Sequence, residues 1–147
     1  MDTDAISFGT DGWRDTLDVF TDERVRAVGH AVAAALADDG GDGPGLVGYD
    51  ARPRSEGFAE SLADVRARAG FDVVLPDRDR PTPLVAYGIV DNDAAGALMV
   101  TASHNPVSYN GVKVIPADGA PAVPAVTDDV VARLGEKPPA AAARGPV

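Results

Sequence analysis

The run Ala94-Ala95-Gly96-Ala97-Leu98-Met99-Val100-Thr101 carries no charge and no apolar–polar alternation. A strand of that kind is covered on both faces, so the chain has to place an apolar layer on each side of it. The run ends where small and polar residues begin, at Ala102-Ser103-His104-Asn105-Pro106. Pro106 steers Asn105 toward an extended or turn conformation, which puts Ser103 and His104 at the mouth of a loop fed by a buried strand. A hydroxyl beside an imidazole, held on such a loop, suits covalent chemistry because a rigid scaffold fixes where the nucleophile points.

The rest of the chain alternates helices with strands. Thr21 caps a helix expected over 22–38, with Asp22 and Glu23 in its first turn and Val25, Val28, Val32 and Leu36 at helical spacing, ending at Gly40-Gly41. His30 lies off that stripe and reads as structural or solvated. A strand follows at Gly45–Tyr49, then a helix from about Ser55 to Gly70 with Phe58, Leu62, Val65 and Ala69 on one face, and a third strand at Phe71–Leu75. Asp50 and Arg52, at the end of the Gly45–Tyr49 strand, read as an ion pair across the sheet end. After a charged turn at Pro76–Pro81, Pro81-Thr82-Pro83 opens a helix running to about Asn92. Beyond the serine loop, Gly111–Ile115 makes another strand and Thr127–Leu134 a last short helix. Residues 1–135 therefore read as one three-layer α/β/α domain with a mixed sheet, and 136–147 as a linker-like tail.

The string Gly43-Pro44-Gly45-Leu46-Val47-Gly48 matches the dinucleotide pattern G-x-G-x-x-G as text. That pattern must follow a strand and open a helix, whereas this copy follows a helix and enters a strand. It is read as a hairpin-like connection, and a nucleotide-binding domain is set aside.

Charge and composition narrow the partners. The formal net charge is -10, from 23 acidic and 13 basic residues, so nucleic acid is not expected. A surface rich in aspartate and alanine and poor in lysine is similar to that of proteins from salt-loving organisms, in which dense salt screens self-repulsion. With no cysteine there is neither a disulfide framework nor a thiolate metal site. Met1-Asp2-Thr3-Asp4 lacks the basic start of a secretory signal, and no apolar run approaches the ~18 residues of a membrane helix, so a cytoplasmic protein away from membranes is expected.

Near the start, Ile6-Ser7-Phe8-Gly9-Thr10-Asp11-Gly12-Trp13-Arg14 reads as a short apolar piece and then a loop, either one whose glycines allow main-chain groups to approach an anion, with Arg14 at its working end, or a plain turn with a solvated arginine. Trp13 reads as packing rather than a sugar platform. Lys113, one of two lysines in the chain, lies ten residues past Ser103 on a strand that returns beside it, as an active group or an ordinary solvated strand lysine. Asn110-Gly111 is a turn signal, so Asn110 serves backbone shape.

Taken together, Thr-Ala-Ser-His-Asn-Pro at 101–106, Tyr-Asn-Gly-Val-Lys at 109–113 and Phe-Gly-Thr-Asp-Gly-Trp-Arg at 8–14 resemble the α-D-phosphohexomutases, the phosphoglucomutase and phosphomannomutase family. Pro81-Thr82-Pro83 is a weaker shared feature. The resemblance implies that Ser103 carries a phosphate, gives it to one hydroxyl of a hexose phosphate, and takes the other phosphate back from the bisphosphate. It implies Mg²⁺ on the phosphoserine, with Ser103 as one metal ligand and the remaining ligands in later domains absent from this chain, Lys113 as proton shuttle, and His104 and Arg14 orienting the phosphate.

Two positions depart from the family pattern. Asp15 stands where a glycine usually follows the arginine, bringing bulk and negative charge close to the expected phosphate. Ala51 replaces the threonine of an Asp-Thr-Arg triplet. The resemblance covers most of residues 6–135 and matches only the first of the family's four domains. Partners are then a hexose phosphate and the missing domains II to IV, or a complementary chain. The alternative is a stand-alone relic that binds a phosphorylated ligand or a protein partner without catalysis. The Tyr-Asn-Gly-Val-Lys continuation leans toward glucose or mannose over glucosamine. A domain built to pack against three others is also expected to expose an apolar patch larger than ordinary monomers carry.

Overall fold

The computed structural model of the chain describes residues 6, 8, 12–38, 45–68, 72–76, 78–79, 82–91, 96–102, 108–116 and 124–134. Its elements are β1 (Gly12–Thr16), α1 (Asp22–Asp38), β2 (Gly45–Tyr49), α2 (Ser55–Arg68), β3 (Val73–Val74), α3 (Thr82–Asp91), β4 (Gly96–Val100), β5 (Tyr109–Pro116) and α4 (Pro124–Ala132). The strands form one five-stranded sheet in the order β1-β5-β4-β2-β3. β3, β2 and β4 run parallel, and β5 and β1 pair antiparallel, so the mixed sheet expected around the serine loop is present.

Every residue of β2 and β4 is buried, as continuous apolar runs require. One face packs on α1 and α2, with Trp13, Val47, Tyr49, Leu98, Val100, Val112 and Val114 meeting Val25, Val28, Val32, Phe58 and Leu62. Val130 and Leu134 bring α4 and the turn after it into that core, beside α1. The other face carries α3, whose Val85 and Ile89 close over Leu46, Ala97, Met99 and Ile115. These are the two apolar layers that the 94–101 run demands.

Local chemistry explains most boundaries. At the start of α1, Val25 N–H donates to Thr21 O at 2.9 Å, and Asp22 and Glu23 lie in the first turn, favourable at the positive end of the helix dipole. The hydroxyl of Ser61 in α2 donates to Asp22 Oδ1 and ties the two helices together. His30 is buried in α1, in keeping with a structural role. Arg66 is the one fully charged side chain among the buried residues described; its Nη1 donates to Leu46 O at 3.4 Å, and burial pushes the guanidinium down to about 10, still cationic at neutral pH.

Three elements differ from the sequence reading. β1 is a strand where a loop is expected, because Gly12, Arg14 and Asp15 mask its propensity while Trp13 alone anchors it to the core. β3 is two residues long, an edge strand paired only to Gly45 and Leu46, and Phe71 lies outside the described residues. α4 begins at Pro124 rather than Thr127, since proline suits a first helical turn, and it gives way to a turn at Arg133–Leu134. The expected glycine stops at Gly40-Gly41 and Gly70, the side chain of Leu36, the connection at 39–44, and the tail at 136–147 lie outside the described residues.

Apolar side chains are exposed on one flank. Val74 and Leu84 are 45% and 50% accessible and rim a groove lined also by Leu46, Val47, Pro76, Val85 and Gly88. Among the described residues no helix is long and apolar enough to cross a membrane.

Candidate functional site

β1 lies against β5 with Gly12 opposite Lys113, Trp13 opposite Val112, Arg14 opposite Gly111 and Asp15 opposite Asn110. Side chains alternate across a strand, and directly paired residues share a face. Trp13 and Val112 point into the α1/α2 core, so Arg14 and Lys113 point to the other face, the one that carries α3. As diagonal neighbours on one face they sit about 7–8 Å apart at their stems, within mutual reach of two long side chains.

Their level along the sheet is fixed by β4. Lys113 pairs with Met99, and Gly111, opposite Arg14, accepts from Thr101 N–H at 2.9 Å. Both cations therefore stand at the carboxyl end of β4, where the chain departs toward Ser103, and in open α/β sheets ligands gather at the carboxyl ends of the strands. Arg14 is exposed and Lys113 half-buried. Ser103 and His104 themselves lie outside the described residues.

Each cation faces a glycine. A Cβ built on Gly111 would lie 2.5 Å from Arg14 Cγ, 2.7 Å from Trp13 O and 2.8 Å from Thr101 O. One built on Gly12 would strike Val112 O and come within 2.9 Å of Lys113 Cα. The missing side chains let β1 and β5 close up and let Arg14 lie across the ladder.

Asp15 does not stand on this face. It alternates to the side of Trp13, and its Oδ1 accepts from Thr16 N–H at 2.8 Å. The charge and bulk that the sequence places near a phosphate are directed to the opposite side of the sheet. Trp13 is fully buried with its ring 4.5 Å from that of Phe20, and so it packs, as expected, and is no platform for a sugar.

A second group closes the neighbouring strand end. Asp50, after β2, pairs with Arg52 at 3.3 Å, the ion pair read from the sequence, and accepts from Ser55 Oγ at 2.5 Å. Asn110 donates to Ser55 Oγ at 3.0 Å. Asn110 is thus in a strand, not a turn, and it is 1% exposed. The sequence reading missed Ser55 in this role; its position five residues after Asp50, at a helix start, was the available signal.

Ser103, the one metal ligand expected from this chain, lies outside the described residues. Among the described residues no three carboxylate or imidazole groups gather to hold a metal ion, and Asp50 is already engaged by Arg52 and Ser55.

An α/β/α layer domain with two cations at a strand's carboxyl end is what the geometry defines. The family described as phosphoglucomutase/phosphomannomutase, alpha/beta/alpha domain I, matches residues 5–140, and the chain belongs to that family. The phosphoglucomutase of Staphylococcus saprophyticus is 30% identical over 132 residues, 85% of this chain and 23% of the relative. The phosphoglucosamine mutase of Synechococcus elongatus is 41% identical over 114 residues, 76% of this chain and 24% of the relative. A crystal structure from Thermus thermophilus that carries the name phosphomannomutase superposes with a TM-score of 0.86 at 35% identity, covering 96% of this chain and 32% of that one. The chain thus spans about a quarter of the length of the curated relatives it matches. Those relatives are named for different sugars, so the leaning toward glucose or mannose has no support from them.

Proposed function

We propose that this is the phosphoserine-carrying domain of a phosphohexomutase, with Ser103 as the phosphate carrier. The observation that carries the reading is the placement of Arg14 and Lys113 on one face at the carboxyl end of β4, the strand that leads to Ser103. Phosphoryl transfer asks little covalent work of a protein beyond a carrier; it asks for the phosphate to be held and its charge neutralised. Arg14, with His104, orients and neutralises the phosphate. The bond from phosphorus to Ser103 Oγ breaks as a hydroxyl of the hexose phosphate attacks, and the hydroxyl proton passes by way of Lys113 Nζ to the departing Ser103 Oγ. The bisphosphate then returns its other phosphate to Ser103 Oγ, and the serine hydroxyl proton passes by way of Lys113 Nζ to the freed sugar oxygen.

Sugar recognition is assigned to parts of the relatives that this chain does not span, and the substrate class is hexose phosphates, acted on in the cytoplasm. The test mixes the chain with a fragment of a relative that carries the remaining domains. Conversion of glucose 1-phosphate or mannose 1-phosphate to the 6-phosphate, abolished by Ser103→Ala, is the expected result. A chain that yields no conversion with any complement and takes no phosphate on Ser103 is instead a non-catalytic binding module.

A further inference from the structure

The β2–α2 turn is joined to both sides of the β4–β5 connection by a closed ring of hydrogen bonds. Asp50 N–H donates to Val100 O at 3.1 Å, and the next residue, Thr101, donates its N–H to Gly111 O at 2.9 Å. Gly111 N–H donates to Asn110 Oδ1 at 2.8 Å, Asn110 Nδ2 donates to Ser55 Oγ at 3.0 Å, and Ser55 Oγ donates to Asp50 Oδ1 at 2.5 Å. Arg52 adds a second strut, donating from Nη1 to Tyr109 O at 3.2 Å while its Nε pairs with Asp50.

Donor and acceptor chemistry specifies these residue types. The single hydroxyl hydrogen of Ser55 is committed to the Asp50 carboxylate, which can only accept, so the Ser55 oxygen must receive a hydrogen from elsewhere. Asn110 supplies it and uses its own oxygen for Gly111, a task that needs a donor and an acceptor on one short side chain. Ser55 and Asn110 are 0% and 1% exposed, and in such a setting a lost partner leaves a buried polar group without its bond.

We propose that Asn110 and Ser55 are positioning residues for the chemistry assigned to Ser103. Neither stands on the face of Arg14 and Lys113: Asn110 alternates with Gly111 and points to the α2 side. They act through the backbone. The ring fixes where the chain leaves β4 and where it enters β5, and so fixes the level at which Gly111, with Arg14 across from it, meets Thr101. This inference rests on the phosphoserine reading.

The test uses the full chain and its Asn110→Asp, Asn110→Ala and Arg52→Gln variants. Amide exchange is followed at Thr101 and Gly111 and, as a control for the core, at Val47 and Leu62. In parallel, with a fragment of a relative that carries the remaining domains present, the rate of phosphate transfer to Ser103 is measured against the concentration of radiolabelled glucose 1,6-bisphosphate. The Asn110 variants are expected to exchange at least tenfold faster at Thr101 and Gly111 with the core amides steady. Transfer at saturating donor should slow at least tenfold while the half-saturating concentration holds. Exchange that stays unchanged, or that rises equally in the core, overturns the proposal, as does an unaltered transfer rate. If neither Asn110 variant folds, Arg52→Gln carries the same comparison. A wild-type chain that takes no phosphate even with that fragment sinks the phosphoserine reading, and exchange at Thr101 and Gly111 then judges the ring alone.

Discussion

Arg14 faces Gly111 across the β1–β5 ladder, and its Cγ occupies the space that a Cβ on Gly111 would need. The pair shows how a strand edge is made into a platform for a cation. The glycine contributes by absence, and the core beneath supplies the fixed floor.

Gly111→Ala should therefore destabilise the fold. Two of the three atoms that a Cβ would meet are backbone oxygens, at 2.7 and 2.8 Å, which have little freedom to retreat. Overpacking of this kind costs about 1–3 kcal/mol, a loss of several degrees in Tm for a domain of this size. Thermal unfolding followed by circular dichroism measures it, and an alanine variant that melts with the wild type contradicts the packing described for β1 and β5.

Trp13 gives a graded prediction. It is fully buried, stacked near Phe20, which in turn meets Phe58 edge-on with centroids 4.9 Å apart. Trp13→Ala should cost about 3–5 kcal/mol. Trp13→Phe should cost only about 1–2 kcal/mol, since it keeps an aromatic neighbour for Phe20 and removes an indole N–H that has no acceptor among the described residues. As Trp13 is the sole tryptophan, its fluorescence reports wild-type unfolding directly, while the variants are compared by circular dichroism.

Stability should rise with salt. A net charge of -10 on a small domain repels itself, and the screening length falls from about 30 Å at 0.01 M salt to about 3 Å at 1 M. Tm is expected to climb by several degrees over that range in potassium chloride. A flat profile removes the expectation of a salt-adapted surface.

Asp64 tests how little individual surface pairs matter against that background. Its Oδ2 accepts from Arg26 Nη1 at 3.2 Å and from Arg68 Nε at 3.0 Å, linking α1 to α2. Both arginines are largely exposed, at 43% and 59%, so solvent screens the pairs and Asp64→Asn should cost under about 1 kcal/mol. The difference between variant and wild type should shrink further in 1 M salt, as paired chemical denaturation curves can show.

Legibility in the sequence followed the density of apolar residues. The bounds of α1 and β2 were readable because Thr21, Asp22 and Glu23 mark a helix start and Gly45–Tyr49 is an apolar run between turn residues. β1 was not, since a glycine, an arginine and an aspartate in five residues argue against a strand until Trp13 is seen against Phe20. Arg14 and Lys113 could be named as candidates from their motifs, but their shared face depends on the β1–β5 register, a long-range pairing that no local pattern specifies. The same register moves Asp15 to the far side and makes Asn110 a strand residue. Asn110-Gly111 looks like a turn because turn propensity is local, whereas its bond to Ser55 spans 55 positions.

The sheet is clothed unevenly, with α1, α2 and α4 on one side and α3, set chiefly against β2 and β4, on the other. That asymmetry dictates a direction of approach. A molecule that reaches Arg14 and Lys113 must come in alongside α3, over the antiparallel half of the sheet, and meet the two cations head-on. Among the described residues the opposite side is covered by three helices, and the α3 side leaves the two cations within reach.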